Sequence, residues 1–338
     1  MSEPGHAPVV GLAPAKLNLT LSIGPRRPDG YHDLHSVMVP LAIADRLSVA
    51  RAPGGGDSLH VVGADGPREG GPDDLVLRGI AAARRAVGRG IEAFPLAARL
   101  EKRIPIAAGL GGGSSDAATA LALALEAWGA GEAVGWTERV ALAMSIGSDV
   151  PFFLVGGPAL VEGCGDRLTA LRAPVGEPIG VLLVTPAVAV STAEAFRAFD
   201  AGGDTAPADP RTARVTSLHL ADELRAGLPG LDLVARAGVL ATANDLAPAA
   251  AALVPELRSF RRSLARRLGR PVGQSGSGPT LWALYPSLGE ADAAGTELEE
   301  ALAGGELAMP NARPPRVHAT TIIARHGTSG SDPGRIDA

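Results

Sequence analysis

The chain is poor in thiols, in aromatic rings and in excess charge of either sign. It has one cysteine, Cys164, in 338 residues. A single thiol closes no intrachain disulfide and builds no thiolate metal cluster, so Cys164 reads as a small buried residue of a reducing cytoplasm. Aromatic residues make up only 3% of the chain, so alanine, leucine and valine must fill most of the core. The formal net charge of −5 gives no basic surface of the kind that nucleic-acid binding requires. No run of about 18 uncharged apolar residues occurs, so no membrane span is expected. The start, "MSEPGHAPVV", lacks the basic and then apolar regions of a secretory signal. These absences point to a cytoplasmic protein that works on neither nucleic acid nor membrane. What is present is ordinary for a globular protein: 46% hydrophobic and 20% charged residues, in a length that suits one large or two medium domains.

Periodicity sets out the elements. "LNLTLSI" (17–23) alternates strictly and predicts one strand, with Leu17, Leu19, Leu21 and Ile23 on one face and Lys16, Asn18, Thr20 and Ser22 on the other. "HSVMVPLAIADRLSVA" predicts further strand, broken at Pro40. Residues 73–88 predict a helix opening on an Asp cap. "PLAARLEKRIP" predicts a strand, and a helix follows over about 115–128. "TERVALAMSIG" predicts a helix ending near Gly147, and "GPALVEGCGDRLTAL" a hairpin turning at 163–166, with Glu162 and Asp166 in structural roles. A second unit starts near Pro178 with the apolar strand "IGVLLVTP" and a helix capped by Ser191 or Thr192. The stretch 201–217 is polar and bears Pro and Gly, which predicts a mobile insert. Leu257, Phe260, Leu264 and Leu268 share a helical face, and the arginines around them read as a solvated face. "VGQSGSGPTLWALYP" is a second glycine-rich turn leading into a strand. The expectation is an α+β protein of two domains, 8–175 and 176–325, with disordered tails at 1–7 and 326–338.

The densest signal is "PIAAGLGGGSSDAATALALAL", from Pro105 to Leu125. Four of the five residues from Gly109 to Gly113 are glycine. Without Cβ atoms, backbone N–H groups can converge on one point. A helix starting there adds unpaired N–H groups and the positive end of its dipole. Together they make an anion site, most often for phosphate. The hydroxyls of Ser114 and Ser115 add donors. The same glycines could form a plain turn. The G-x-x-x-x-G-K-[ST] loop is excluded because no lysine follows the glycines, and "GLGGGS" meets the dinucleotide fingerprint G-x-G-x-x-G only in part.

"P-x-x-x-G-L-G-G-G-S-S-D-A-A" resembles the phosphate-binding motif of the GHMP kinases. Three further blocks resemble that family in the same order. These are "KLNLTLSIGPRRPDGYHDLHSV" (16–37), "GSDVPFFLVGGPALVEGCGDRL" (147–168) and "GQSGSGPTLWAL" (273–284). Such a resemblance implies a two-domain α+β fold: an N-terminal α/β domain like domain 2 of ribosomal protein S5, and a ferredoxin-like C-terminal domain, with the active site in the cleft between them. The block at 16–37 is similar to the branch of the family that phosphorylates the 2-hydroxyl of a cytidine diphosphate-linked methylerythritol, in the non-mevalonate route to isoprenoid precursors. ATP is then the co-substrate and Mg²⁺ its companion ion. A monomer or weak homodimer is expected.

The resemblance also assigns residues. Pro105, Ile106, Ala107, Ala108, Gly109, Leu110, Gly111, Gly112, Gly113, Ser114 and Ser115 bind ATP. Asp149 is the base that accepts the hydroxyl proton, although by position alone it could be a helix cap before Pro151. Lys16 is the catalytic lysine, although a lysine on a strand's polar face could simply be solvated. Asn18, two residues on, binds substrate hydroxyls. Tyr31 stacks on the cytosine, His32 and nearby backbone groups read its edge, and Phe196 closes the sandwich from the other domain; each could otherwise be a surface or core residue. Thr192, Gly276 and Ser277 lie against the substrate. Relatives often carry Asn where this chain has Asp74, so no adenine contact is assigned there, and no acidic Mg²⁺ ligand is legible. Two rival readings stay open: a homoserine- or mevalonate-type kinase, which leaves "DGYHDL" unexplained, and a catalytically inert nucleotide-binding regulator, which leaves Lys16 and Asp149 unexplained.

Overall fold

The computed structural model describes residues 7–63, 66–87, 93–202 and 211–325. The expected tails, apart from residue 7, lie outside these. The first half of the chain builds an eight-stranded sheet around one long strand, β3 (His32–Arg51). β1 (Val9–Asn18) and β2 (Ser22–Arg26) pair with β3 antiparallel. So do β6 (Leu96–Glu101) and β7 (Ala159–Gly163). β4 (Ser58–Val62) lies parallel to β6, with the short β5 (Arg68–Glu69) beside it. β8 (Arg167–Ala170) completes the predicted hairpin with β7.

Two expectations about these strands are corrected. Pro40 does not break β3. It sits opposite Lys16, just past an irregularity between Pro14 and Lys16 where the register shifts, a position that tolerates a missing N–H. The alternating run 17–23 is not one strand. β1 ends at Asn18, and Leu21 instead exchanges backbone bonds with Ala243 (2.7 Å) and Asp245 (2.9 Å) of the second half. Both faces of the run are buried, the polar one included.

α1 (Leu75–Ala86) starts where Asp74 accepts from the Val76 N–H at 3.1 Å and buries Val76, Ile80 and Ala83. α2 (Gly112–Ala127) is apolar almost all round and lies buried at the centre of this half. It starts inside the glycine run, three residues earlier than expected. α3 (Trp136–Met144) follows, then a short 3₁₀ turn at Pro151–Leu154 whose cap position is Val150, so Asp149 is not a cap.

The second half is a four-stranded sheet in the order β10 (Gly273–Gln274), β11 (Leu281–Tyr285), β9 (Gly180–Thr185), β12 (Arg316–Thr321). Its helices include α4 (Thr192–Ala201), capped by Ser191, and α5 (Thr212–Ala226). After α6 (Gly230–Ala235), α7 (Ala237–Leu240) and α8 (Ala247–Leu253) come α9 (Glu256–Leu268) and α10 (Leu288–Ala303). The expected mobile insert is corrected over 212–217, which is helical with Ala213 and Ser217 buried; residues 203–210 lie outside the described residues. The arginine face of α9 is not wholly solvated either: Arg261 reaches inward to donate to the carbonyls of Val272 (2.6 Å) and Ala241.

The halves share a core. Leu17, Val39 and Leu41 pack in one cluster with Leu183, Leu220, Leu224 and Trp282. Above it, the buried Ser217 hydroxyl contacts the Thr20 hydroxyl at 2.6 Å, the His35 carbonyl at 3.3 Å and the Ala213 carbonyl at 2.9 Å. Ser217→Ala leaves Thr20 and the His35 carbonyl without that partner, and should lower unfolding free energy by about 1–3 kcal/mol. Chemical denaturation checks this: a midpoint unchanged from the parent would show that the joint contributes nothing.

Candidate active site

A cavity of about 920 Å³ opens between the halves. Its walls hold Lys16, Asn18, Tyr31, His32, Asp149, Thr192, Phe196, Gly276 and Ser277, together with every residue from Pro105 to Ser114. Residues far apart in sequence thus converge as expected. Ser115 is the exception: it is fully buried and off the wall, so of the two serines only Ser114 faces the cavity.

One end of the cavity is built from the start of α2. No side chain caps it, and Gly112, Gly113 and Ser114 of its first turn line the cavity. Its cap residue, Gly111, has φ 68°, and a Cβ there would lie 2.8 Å from Lys16 Cγ and 3.0 Å from the Phe153 ring. The glycine is therefore required twice, for the left-handed backbone and for the lysine's close passage. Gly109 is similar: a Cβ would lie 2.5 Å from the Ser275 carbonyl oxygen. The two glycine loops thus pack directly against each other, and the Ser275 hydroxyl donates to the Gly109 carbonyl at 3.0 Å.

Lys16 stands at their junction. Its backbone N–H donates to the Leu110 carbonyl at 2.9 Å. The ammonium is only 4% exposed, donates to Asn18 Oδ1 at 2.5 Å and lies 3.6 Å from Asp149 Oδ2. The Asp149 side chain is 34% exposed, so it is open to the cavity. Asn18 is itself oriented by donating to the Ser36 hydroxyl at 2.9 Å. Lys16 and Asn18, on the polar face of β1, thus line the cavity and are not solvated.

Sequence reasoning missed a second buried cation. Lys102 donates to Asp45 and, at 2.7 Å, to Asp116, beside the first turn of α2. Burial favours the neutral lysine, but Asp116 and Asp45 together outweigh it and hold the Lys102 pKa above its ordinary value. One ammonium cannot neutralise two carboxylates. Burial, with the neighbouring Asp45 charge, pushes the Asp116 carboxyl up to about 8 against the pull of Lys102. Its Oδ1 has no partner. The aspartate after "GGGSS" and the lysine before Pro105 were visible as residues, but not as a pair.

At the substrate end, Tyr31 is 63% exposed and Phe196 half-buried. The His32 ring lies against Phe196 (centroids 5.4 Å apart, 30° between planes), with Phe199 edge-on. Its Nδ1 meets the Gly24 carbonyl at 2.8 Å and its Nε2 meets Asp200 Oδ1 at 3.0 Å. Cys164 is not buried as expected: it is half-buried, lines the cavity and lies 4.0 Å from the His32 carbonyl. Thr192 and Ser277, both of the second half, share a hydroxyl contact of 3.0 Å on the cavity wall.

Comparison with known proteins follows this geometry. The family description "GHMP kinases N terminal domain" matches residues 74–157, and "GHMP kinases C terminal" matches 224–304. A 4-diphosphocytidyl-2-C-methyl-D-erythritol kinase of Pelotomaculum thermopropionicum is 40% identical over 83% of this chain and 90% of its own. The chain belongs to the GHMP kinase family. A relative of the same name from Deinococcus radiodurans is 37% identical over 86% of this chain and 89% of its own. A crystal structure of 4-(cytidine 5'-diphospho)-2C-methyl-D-erythritol kinase superposes with TM-score 0.65 at 33% identity, covering 93% of this chain and 98% of that one. A homoserine kinase from Cytophaga hutchinsonii shares the fold, with TM-score 0.66 at 19% identity over 96% of this chain and 98% of its own. The expected two-domain kinase fold is therefore the observed one.

The Asp116 proton has a consequence for stability. The folded carboxyl holds its proton up to about pH 8, whereas an unfolded one releases it near pH 4. Its contribution is full below pH 4 and lost as pH rises towards 8. Asp116→Asn removes that loss. Urea unfolding at pH 5 and pH 8 should show the variant gaining on the parent as pH rises; a gap that is constant with pH would mean Asp116 is ionised in the fold.

Proposed function

We propose that this protein transfers the γ-phosphoryl group of ATP to the 2-hydroxyl of 4-diphosphocytidyl-2-C-methyl-D-erythritol, releasing ADP and the 2-phosphate, in the non-mevalonate isoprenoid route. The observation that carries the reading is the Lys16–Asp149 pair at the meeting of two glycine loops, in a chain whose relatives bear that kinase name. The ATP phosphates sit against the backbone N–H groups at the start of α2, with Ser114 as a further donor. Lys102, beside the same helix turn, adds positive charge there.

Asp149 takes the proton of the attacking hydroxyl, and its partial exposure leaves it open to the substrate. A carboxylate is a weak base for an alcohol, so orienting the oxygen counts for as much as removing the proton. Lys16 pairs with Asp149 and offsets the negative charge spread over the phosphoryl oxygens. Its burial raises the worth of that charge, because less water screens it. Asn18 holds Lys16 in place and leaves the substrate to be reached through Lys16 and Asp149.

Mg²⁺ enters with ATP. Among the described residues no group of three or more His, Cys, Asp or Glu forms a ready metal cage. An ATP-borne Mg²⁺ needs only one or two carboxylates besides phosphate and water. Asp149, part-exposed on the cavity wall, is the carboxylate that suits it, whereas Asp116 is buried, paired with Lys102 and protonated up to about pH 8.

A coupled ADP-release assay with MgATP and this substrate, followed by phosphorus NMR, tests the whole reading. A new phosphomonoester at the 2-position is the expected product. Turnover of homoserine or mevalonate instead would replace the substrate assignment. Asp149→Ala should lower kcat by about 10²–10⁴-fold while ATP still binds. Near-parental kcat in that variant would remove Asp149 from its role.

A further inference from the structure

A second cavity, of about 630 Å³, lies within the second half. It is walled by the start of α5, the segment from α7 to α8, one face of α9, and β10. Much of its lining is small and apolar, such as Ala241, Ala251 and Val272. Against that stand three arginines of α9: Arg258, Arg261 and Arg262. Their i, i+3, i+4 spacing puts them on one helix face. Among the described residues none of the three has a carboxylate within ion-pair distance, and Arg261 instead donates to the carbonyls of Val272 and Ala241. The arginines further along differ: Arg267 pairs with Glu297 and Glu306, and Arg270, just past the helix end, pairs with Glu290.

A buried guanidinium with only neutral partners holds its charge at a cost. Burial lowers the Arg261 pKa from its ordinary value, and no carboxylate offsets that. Asp245, the fourth charged group on the wall, does not serve: its Oδ2 accepts from the Ile23 N–H at 2.9 Å, and burial pushes its carboxyl up to about 6. The cavity therefore sets an excess of positive charge beside apolar surface. Guanidinium forks match the oxygens of a phosphate group in pairs. The same cavity also reaches towards the reacting atoms. Asn244 and Gln274 line it, and both side chains donate to the Gly276 carbonyl, at 2.9 and 3.3 Å. Gly276 lies on the active-site wall, where a Cβ would come 3.3 Å from Lys16 Nζ. Whatever moves these two amides moves the second glycine turn.

We propose that this cavity binds a small molecule bearing a phosphate or diphosphate group, and that its occupancy acts on the active site through Asn244 and Gln274. The anion lies against Arg258, Arg261 and Arg262, and the apolar wall takes the body that carries it. The site is separate from the one that holds ATP, since the two cavities share no lining residue. Arg258 and Arg262 are exposed and hold no other partner, so they are free to close on a ligand, whereas Arg261 also ties α9 to the backbone before β10.

The probe is inorganic pyrophosphate, titrated calorimetrically without Mg²⁺ into the full-length parent and into the double variant Arg258→Gln, Arg262→Gln. The parent should bind it at two sites, the phosphate loop and the second cavity. The variant should keep the first, which ADP displaces, and weaken the second by about 10–100-fold, the worth of the charged hydrogen bonds removed. A second binding event that is absent from the parent, or equal in both proteins, overturns the site. This comparison needs no turnover, so its outcome is distinct from that of the proposed reaction. Turnover at saturating MgATP reads the coupling. Without pyrophosphate the two proteins should match. With it, kcat of the parent should change by more than that of the variant, which corrects for Mg²⁺ captured by pyrophosphate. An equal response in both overturns the coupling. Thermal unfolding shows whether the variant keeps the parental fold, and Arg258→Gln alone carries the same comparison where the double change does not.

Discussion

The site depends on one buried ammonium. Lys16 is almost wholly excluded from water, and a lysine charge so placed persists only with partners that replace its hydration. Those partners are Asn18 and Asp149, one on the lysine's own strand and the other at the far end of the N-terminal half. Gly111 has no side chain because the lysine stem runs where one would be. The lysine thus constrains the glycine loop that it passes, the carboxylate that pairs with it and the amide that accepts from it.

The same strand end explains why two half-chains make one site. Between β1 and β2 the backbone turns at Leu21 to bond Ala243 and Asp245 of the second half. Asn244 then donates to the carbonyls of Gln274 and Gly276, each at 2.9 Å, which fixes the second glycine turn over Lys16. The Asn18 N–H reaches the Ser275 hydroxyl at 3.4 Å, and that hydroxyl bonds the phosphate loop. A displacement of either half would be felt at the reacting atoms, because the link is a chain of short polar contacts and not a loose hydrophobic seam. The shared apolar cluster beneath supplies the bulk of the joint, and the polar chain supplies its register.

How much of this was legible follows from what each signal depends on. The phosphate loop was readable because glycine spacing and a following helix are local. α1, α4 and the β7–β8 hairpin were readable for the same reason: cap, period and turn lie within a few residues of one another. Alternation at 17–23 identified a strand-like run but not its break, because the competing partner, 243–245, is more than two hundred residues away. Pro40 misled because its effect depends on the register of the opposite strand. The cluster of Lys102, Asp45 and Asp116 was invisible for a related reason. Lys102 and Asp45 are 57 positions apart, and nothing in either segment announces the other.

His32 shows the limit of carrying a motif over residue by residue. The resemblance placed His32 among the substrate residues, and the structure puts it on the cavity wall. What a motif does not carry is the state of the side chain's donors and acceptors. Two acceptors, Gly24 and Asp200, occupy the ring, and Asp200 belongs to a helix in the other half of the chain. A ring held in this way is fixed in orientation, and it ties the turn before β3 to α4, so one side chain couples the two halves of the cavity wall.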